Sequence, residues 1–181
     1  MKVLCIESIS GPFRATACVD SSLRLRNEPF FPPDDSPWHA SLFIGARIDR
    51  LGMKISPRFA TRYFSSVTLL AHPFVPGSEV PYEWSRDCAL FNNGDIDISA
   101  LPDEFGVAVS GSPGAPFGLT LGRDALVALL ARAVSEISAF HTLKTGDIVA
   151  LPLDFPLLPL PIGADYYISA AGTTLLHLKS R

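Results

Sequence analysis

The sequence lacks any apolar run near the roughly 20 residues that a membrane-spanning helix requires. Its longest runs, such as Ala125–Ala131, are much shorter. An excess of positive charge is also missing, because 15 Lys and Arg stand against 18 Asp and Glu, for a net charge of −3. We therefore expect no membrane contact and no nucleic-acid partner. The N-terminal apolar run is interrupted by Glu7, which favours a strand over a signal peptide.

Cysteine is scarce, and the three present are Cys5, Cys18 and Cys88. Their wide spacing matches no metal finger and no redox motif. We interpret them as buried thiols in a reducing cytoplasm, with a catalytic thiol as the alternative. The nucleophile elbow, the P-loop, the dinucleotide fingerprint and the His-Glu-x-x-His zinc motif are absent as well. None of the enzyme classes that these motifs mark is indicated.

What is present indicates one globular domain, residues 1–181. The chain is 48% hydrophobic and 18% charged, and 181 residues suffice to bury a core without cross-links. Sixteen prolines accompany a single long helical pattern. This combination predicts a mostly β chain with some α structure (α+β), in which irregular loops join the strands.

Alternating or apolar patterns predict strands at residues 3–9, 14–24, 41–49, 67–71 and 105–109. The first two strands are expected to form a hairpin. Ser56 and Pro57 predict the start of a short helix, with the serine as its cap and the proline at its first position. Residues 112–118 read as a loop.

One long helix is predicted over residues 123–138. Apolar residues recur there at intervals of three and four, so one face is expected to lie in the core. That face comprises Ala125, Leu126, Leu129, Leu130, Ala133, Val134 and Ile137.

The order of motifs over residues 40–178 resembles the C-terminal half of the fumarylacetoacetate hydrolase family. The short helix at Ile55-Ser-Pro-Arg-Phe-Ala60 precedes a buried strand that ends at His72. The long helix leads into Thr142-Leu-Lys-Thr-Gly-Asp147, a strand and a proline-rich loop. Gly163-Ala-Asp165, a second strand and Gly172-Thr-Thr-Leu175 follow.

The resemblance implies a β-roll or sandwich with one long helix outside it, commonly in a homodimer. Members of this family hold Mg²⁺, Mn²⁺ or Ca²⁺ with a Glu-x-Glu pair on an early strand and an aspartate at the end of a later one. The bound cation chelates a diketone or acylpyruvate and stabilises its enolate. A lysine and a Thr-Gly-Thr loop commonly help to bind the substrate.

The resemblance also shows which of these groups the chain has lost. Ser41 and Phe43 align with the two glutamates, and His72 aligns with the aspartate. Ala150-Leu-Pro-Leu153 replaces the Thr-Gly-Thr loop, and Arg86 aligns with the lysine. Since residues 36–48 contain no Asp or Glu, a small shift of the alignment restores nothing. We therefore expect no metal site and no cofactor.

The candidates for a vestigial pocket are His72, Arg86, Asp87 and Leu151. His72 could act as a residual ligand or base, or serve only structure, and Arg86 with Asp87 could clamp a carboxylate or form a surface ion pair. Phe43, Leu151 and the loop around Pro156, Pro159 and Pro161 are expected to fill the pocket. Asp34 with Asp35, and Glu79 with Glu83, could instead rebuild a carboxylate cluster.

These observations predict a cytoplasmic protein that is degenerate at the metal site. It would bind a small carboxylate or diketone, or act as an oligomeric partner, with a homodimer expected. The alternative is a divergent hydrolase or isomerase of acylpyruvate-like or 2-hydroxyhepta-2,4-diene-1,7-dioate-like substrates. That enzyme would require Mg²⁺ or Mn²⁺ in a site rebuilt from other residues.

Overall fold

A computed structural model gives the architecture of the chain. It describes residues 1–7, 13, 15–19, 23–25, 27–77, 90–114 and 116–181. The fold is mostly β with one long helix, which confirms the predicted α+β class. Within these ranges no helix is both long and apolar enough to span a membrane.

The larger sheet contains nine strands among the described residues. They are β1 (Lys2–Ile6), β2 (Ala15–Val19), β3 (Leu23–Arg24), β4 (His39–Ile48), β5 (Phe64–Phe74), β6 (Leu90–Phe91), β7 (Asp95–Asp97), β10 (Ile148–Pro152) and β11 (Leu158–Pro159). The long antiparallel pair of β4 and β5 forms its centre. On one side β10 pairs with β4, and β1 pairs in parallel with β10. The predicted N-terminal hairpin is present as β1 and β2, although its turn lies outside the described residues.

The smaller sheet is an antiparallel set of four strands in the order β13–β12–β8–β9. These are β8 (Glu104–Ser112), β9 (Phe117–Gly122), β12 (Asp165–Ala170) and β13 (Thr173–Lys179). Strand β9 corrects the prediction of a loop over residues 112–118, because Phe117 and Gly118 pair with Val109 and Ala108 of β8.

The long helix α1 spans Arg123–Ser138, as predicted. Of the predicted core face, five positions are buried and include Leu130, which is fully buried. Each such leucine stabilises the fold by about 1.5–3 kcal/mol. Ala125 is exposed and Leu129 only half-buried, whereas Ala131 is buried although it was not predicted to be.

The predicted short helix is a 3₁₀ helix, Pro57–Tyr63, with the proline at its start. Ser56 has the extended backbone of a cap, but its side chain makes no capping hydrogen bond. The prediction of serine capping is therefore wrong. Proline at the first position leaves one fewer backbone N–H to satisfy, which lessens the need for a cap.

Each face of the larger sheet contributes to a separate apolar cluster. The main core lies between this sheet, the smaller sheet and α1. The second cluster lies on the opposite face of the larger sheet and consists of Val3, Cys5, Cys18, Leu23, Phe43, Leu70, Leu90, Ile148 and Ala150. Cys5 and Cys18 are buried there, as predicted, while Cys88 falls outside the described residues.

Candidate functional site

Ser41, Phe43 and His72 lie together on one face of the β4–β5 pair. Ser41 is directly opposite His72, and Phe43 is directly opposite Leu70. Directly opposite residues in an antiparallel pair share a face, and so do alternate residues along a strand. The register therefore brings these four side chains together, and we call them the His72 face.

His72 is only 2% exposed. Its ring lies nearly parallel to that of Phe74, the next residue of β5 on the same face, with centroids 5.9 Å apart and planes inclined by 6°. The imidazole therefore packs against an aromatic neighbour on its own strand. His39 also belongs to this face, because it lies two residues before Ser41 and opposite Phe74.

Phe43 extends the second cluster into the His72 face. It is buried with Leu70, Ile148 and Ala150, which come from the neighbouring strands. Gly45 leaves room for this packing, since its missing β-carbon would lie 2.6 Å from Ile148 Cγ2. The four residues of the His72 face and their packing partners in β10 are therefore apolar except for Ser41 and His72.

The donors on the His72 face do not fit a hard divalent cation. Mg²⁺, Mn²⁺ and Ca²⁺ prefer several oxygen ligands, carboxylates above all, whereas imidazole suits Zn²⁺, Cu²⁺ and Ni²⁺ better. Here the three aligned positions supply a hydroxyl, a phenyl ring and an imidazole. Throughout the described residues, no three His, Cys, Asp or Glu side chains are grouped as metal ligands would be.

The other predicted pocket residues are not brought to this face. Leu151 is buried in the main core and lies opposite Ile44, so its side chain points away from His72. Its neighbour Ala150 faces the second cluster instead. Arg86 and Asp87 lie outside the described residues, as do Glu79 and Glu83.

A cleft of about 590 Å³ adjoins the His72 face at His39. Strand β11 pairs with the start of β4, which sets Pro159 opposite His39. The walls are formed by Pro32, Asp34, Asp35, Ser36, Pro37, Trp38, His39, Pro159, Leu160, Pro161 and Ile162. The proline-rich segment thus lines this cleft, while Pro156 is exposed elsewhere.

Asp34 organises one wall of the cleft. Its carboxylate accepts hydrogen bonds from the backbone N–H of Ser36 at 2.9 Å and from Trp38 Nε1 at 3.1 Å. The backbone bond from Ser36 is the main cause that holds the pKa of Asp34 below its usual value. The ionised carboxylate of Asp34 stabilises this turn, since both of its hydrogen bonds come from within residues 34–38. Neither bond involves Ser41, Phe43, Leu70 or His72.

A polar network, which the sequence did not reveal, closes the far end of the same sheet face. Arg47 donates to both carboxylate oxygens of Asp95, at 2.7 and 2.9 Å, and to Asn92 Oδ1 at 3.0 Å. Asn92 donates in turn to Thr68 Oγ1 and to the Leu69 carbonyl. Asn92 is 1% exposed, and its bonds tie β5 to the chain before β7.

The protein shares its fold with members of the fumarylacetoacetate hydrolase family. Fumarylpyruvate hydrolase of Pseudomonas aeruginosa, in complex with Mn²⁺ and pyruvate, matches with a TM-score of 0.76 and 14% identity over 99% of this chain and 89% of that one. The structure of 2-hydroxyhepta-2,4-diene-1,7-dioate isomerase of Mycobacterium marinum matches with a TM-score of 0.82 and 17% identity, over 99% of this chain and 73% of that one. A fumarylacetoacetate hydrolase family protein of Yersinia pestis matches with a TM-score of 0.78 and 15% identity, over 99% of this chain and 92% of that one.

No protein-family model matches the sequence, and no curated protein matches it. The similarity to solved structures therefore confirms the fold expected from the order of motifs. At 14–17% identity it concerns the fold alone.

Proposed function

We propose that this chain is a fumarylacetoacetate hydrolase-family protein whose metal site is degenerate, and that it binds a small molecule or serves as an oligomeric partner. One observation carries the proposal. The three positions aligned with metal ligands meet on one face, yet Ser41, Phe43 and His72 bring no carboxylate to it. A doubly charged cation would there lack the anionic oxygens that offset its charge.

The cleft at His39 supports the binding role. Its 590 Å³ falls within the range of about 300–1,000 Å³ that is usual for small-molecule sites. Asp34 and Asp35 are the carboxylates on its walls, and no described lining residue is a lysine or arginine. Of the two ligand classes expected, an uncharged diketone therefore suits the cleft better than a carboxylate, which these walls would repel.

Exposed apolar side chains support the role of oligomeric partner, with a homodimer as the proposed assembly. Leu51, Met53 and Phe140 are 68%, 53% and 82% exposed. Gly52 is bridged to Leu143, and Thr142 Oγ1 lies 3.5 Å from Met53 Sδ, so the segments that carry these side chains are adjacent. Exposed apolar groups of this kind are typical of interfaces. The proposed cytoplasmic location rests on the buried cysteines.

The assembly can be tested by light scattering on the purified chain. Phe140→Asp should convert a dimer to a monomer, since it places a charge in the apolar patch. Phe31→Asp, at a side chain that is also largely exposed but lies on another segment, is the matched control. A wild-type monomer, or a dimer unaffected by Phe140→Asp, would contradict this assembly.

Calorimetric titration with Mn²⁺ and Mg²⁺ tests the degenerate metal site. We expect the chelator-stripped protein to show no heat of binding and no thermal shift at millimolar metal. Stoichiometric binding at micromolar metal would overturn the proposal. It would favour the second candidate, a divergent hydrolase or isomerase of acylpyruvate-like or 2-hydroxyhepta-2,4-diene-1,7-dioate-like substrates. That candidate draws its support from the enzymes that share this fold.

A further inference from the structure

A second cleft lies against the hairpin of β12 and β13. It encloses about 270 Å³ and is lined by Asn27, Asn93, Gly94, Tyr167, Thr174, Leu175, Leu176 and His177. Neither the metal-site alignment nor the proposed function uses any of these residues.

Tyr167 and His177 form the aromatic wall of this cleft. They are direct cross-strand partners, and their rings are stacked with centroids 4.1 Å apart and planes inclined by 19°. Tyr167 is 45% exposed, whereas Tyr166 beside it points into the core. An exposed aromatic ring of this kind is a surface on which another planar ring can stack.

The His177 ring is held in place on its other edge. Its Nε2 lies 2.6 Å from Asp165 Oδ1, and Arg181 lies 3.8 Å from the second carboxylate oxygen. These contacts restrain the imidazole on which Tyr167 stacks, so binding would cost less side-chain entropy. Asp165 and Arg181 form an ion pair with each other, and neither residue lines the cleft.

The opposite wall supplies hydrogen-bond donors. Asn27 N donates to Asn93 Oδ1 at 2.9 Å, and Asn93 Nδ2 donates to Asn27 Oδ1. Both amide oxygens thus already accept a bond, while an amide nitrogen carries two hydrogens. Thr174 adds an exposed hydroxyl. Each of the two amide nitrogens keeps at least one N–H that neither of these bonds uses, so this wall can donate to acceptor oxygens on the ligand.

We propose that this cleft binds a small uncharged planar ring that carries carbonyl acceptors, of the size of a pyrimidine base. The ring would stack on Tyr167, and its carbonyls would accept from the Asn27 and Asn93 amides. A volume of 270 Å³ holds one such ring and is too small for an extended substrate.

Uridine is the probe, and a ¹⁵N–¹H correlation titration is the measurement. We expect saturable shifts confined to Tyr167, Thr174, His177 and the side-chain amides of Asn27 and Asn93. Dihydrouridine keeps the carbonyls but loses the planar ring, and phenol keeps a planar ring but lacks the carbonyls. Each should bind at least about fivefold more weakly than uridine, because each lacks one of the two contacts.

Two variants make the test specific. Tyr167→Ala should weaken uridine binding at least about tenfold, since it removes the stacking surface. Phe31→Ala removes another exposed aromatic ring, one that does not line this cleft, and should leave uridine binding unchanged. Because Tyr167 is half-exposed, its truncation should preserve the fold, which the spectrum itself reports.

The proposal is overturned if uridine causes no saturable shift at this cleft, if the shifts map to the His39 cleft, or if Tyr167→Ala binds as wild type does. Equal affinity for dihydrouridine would also contradict it. None of these outcomes depends on whether the chain binds a metal.

Discussion

Gly45 and Ile148 are in closer contact than any side chain at position 45 would allow. A β-carbon there would approach Ile148 Cγ2 to 2.6 Å, Leu70 Cδ1 to 3.3 Å and the Val149 carbonyl oxygen to 3.3 Å. The isoleucine methyl sits on a β-branched carbon and has little freedom to move away. Close approach of β4 and β10 under the second cluster therefore depends on glycine.

Gly45→Ala should lower the free energy of unfolding by about 1–3 kcal/mol, because it overpacks the second cluster. Gly106→Ala is the matched control, since Gly106 also lies within a strand but a β-carbon there meets nothing within 4 Å. Urea unfolding of both variants gives the comparison. Equal losses of stability would show that the close approach at Gly45 is unimportant.

Carboxylates restored to the His72 face should create a metal site. The variant Ser41→Glu/Phe43→Glu/His72→Asp places three acidic groups at positions that the register brings together. It should be less stable than wild type without metal, since a buried charge at position 43 is costly, and it should bind Mn²⁺ in the micromolar range.

The control for that variant is Ser41→Gln/Phe43→Gln/His72→Asn, which has nearly the same shape without the charges. Calorimetry should detect Mn²⁺ binding only to the acidic variant. If both bind Mn²⁺, or if a folded acidic variant binds none, then the three positions are not equivalent to the metal ligands of the family.

Asp147 should make stability depend on acid pH. Burial alone would raise the pKa of this carboxyl, but hydrogen bonds from the Lys144 N–H and from Lys2 outweigh it and hold the pKa below its usual value. A lowered pKa means that the folded state favours the ionised form. The stabilisation is complete above the unfolded pKa of about 4 and is lost as the pH falls through the lower folded value.

Asp147→Asn should therefore lower the free energy of unfolding by about 1–3 kcal/mol at pH 7 and have a smaller effect at pH 3. Urea unfolding across this range is the measurement, with the exposed Asp97→Asn as the control. A loss that stays the same from pH 7 to pH 3 would argue against ionised Asp147 as the cause.

Tyr166 links the smaller sheet to the wall of the His39 cleft. Its buried hydroxyl lies 2.5 Å from the Pro113 carbonyl oxygen and 2.9 Å from that of Pro159, and burial raises the pKa of its phenol. Tyr166→Phe leaves both carbonyls without this donor and should cost about 1–3 kcal/mol. Tyr167→Phe, at the exposed neighbour, should cost less than about 0.5 kcal/mol in the same thermal unfolding experiment. Similar losses in both would contradict the assigned link.

Asn92 should contribute more to stability than the adjacent Asn93. Asn92→Ala removes the bonds to Thr68, Leu69 and Arg47 in a buried setting and should cost about 2–4 kcal/mol. Asn93→Ala affects only the exposed pair with Asn27 and should cost below about 1 kcal/mol. Chemical unfolding of the two variants measures the difference. A larger loss of stability for Asn93→Ala than for Asn92→Ala would contradict the stabilising role assigned to the Asn92 network.

The fold could be predicted where the pattern was long and periodic. The helix at Arg123–Ser138 repeats its apolar positions over about four turns, and this periodic pattern predicted its range. Strand β9 was missed because Phe117-Gly-Leu-Thr-Leu-Gly122 is short, rich in glycine and preceded by prolines. Such a segment becomes a strand only because β8 lies beside it.

That Ser41 and His72 lie opposite each other agrees with the resemblance, but the orientation of Leu151 could not be predicted. Ser41 and His72 come from separate strands, and the resemblance predicted that they belong to one site. Leu151 was placed in the pocket, but β10 is apolar on both faces, so no alternation shows which side chain points where. No local pattern marked Asn92, because its burial depends on Arg47 and Thr68, which are distant in sequence.

The parallel pairing of β1 with β10 affects how the chain is made. Lys2 and Asp147, which hold this pair together, are 145 residues apart. At a synthesis rate of about 5–20 residues per second, the first strand leaves the ribosome roughly 7–30 s before its partner exists. During that interval the apolar Val3, Leu4 and Ile6 have no sheet to join on the β10 side. Nascent chains of this protein should therefore bind chaperones at their N-terminus until residue 150 has emerged.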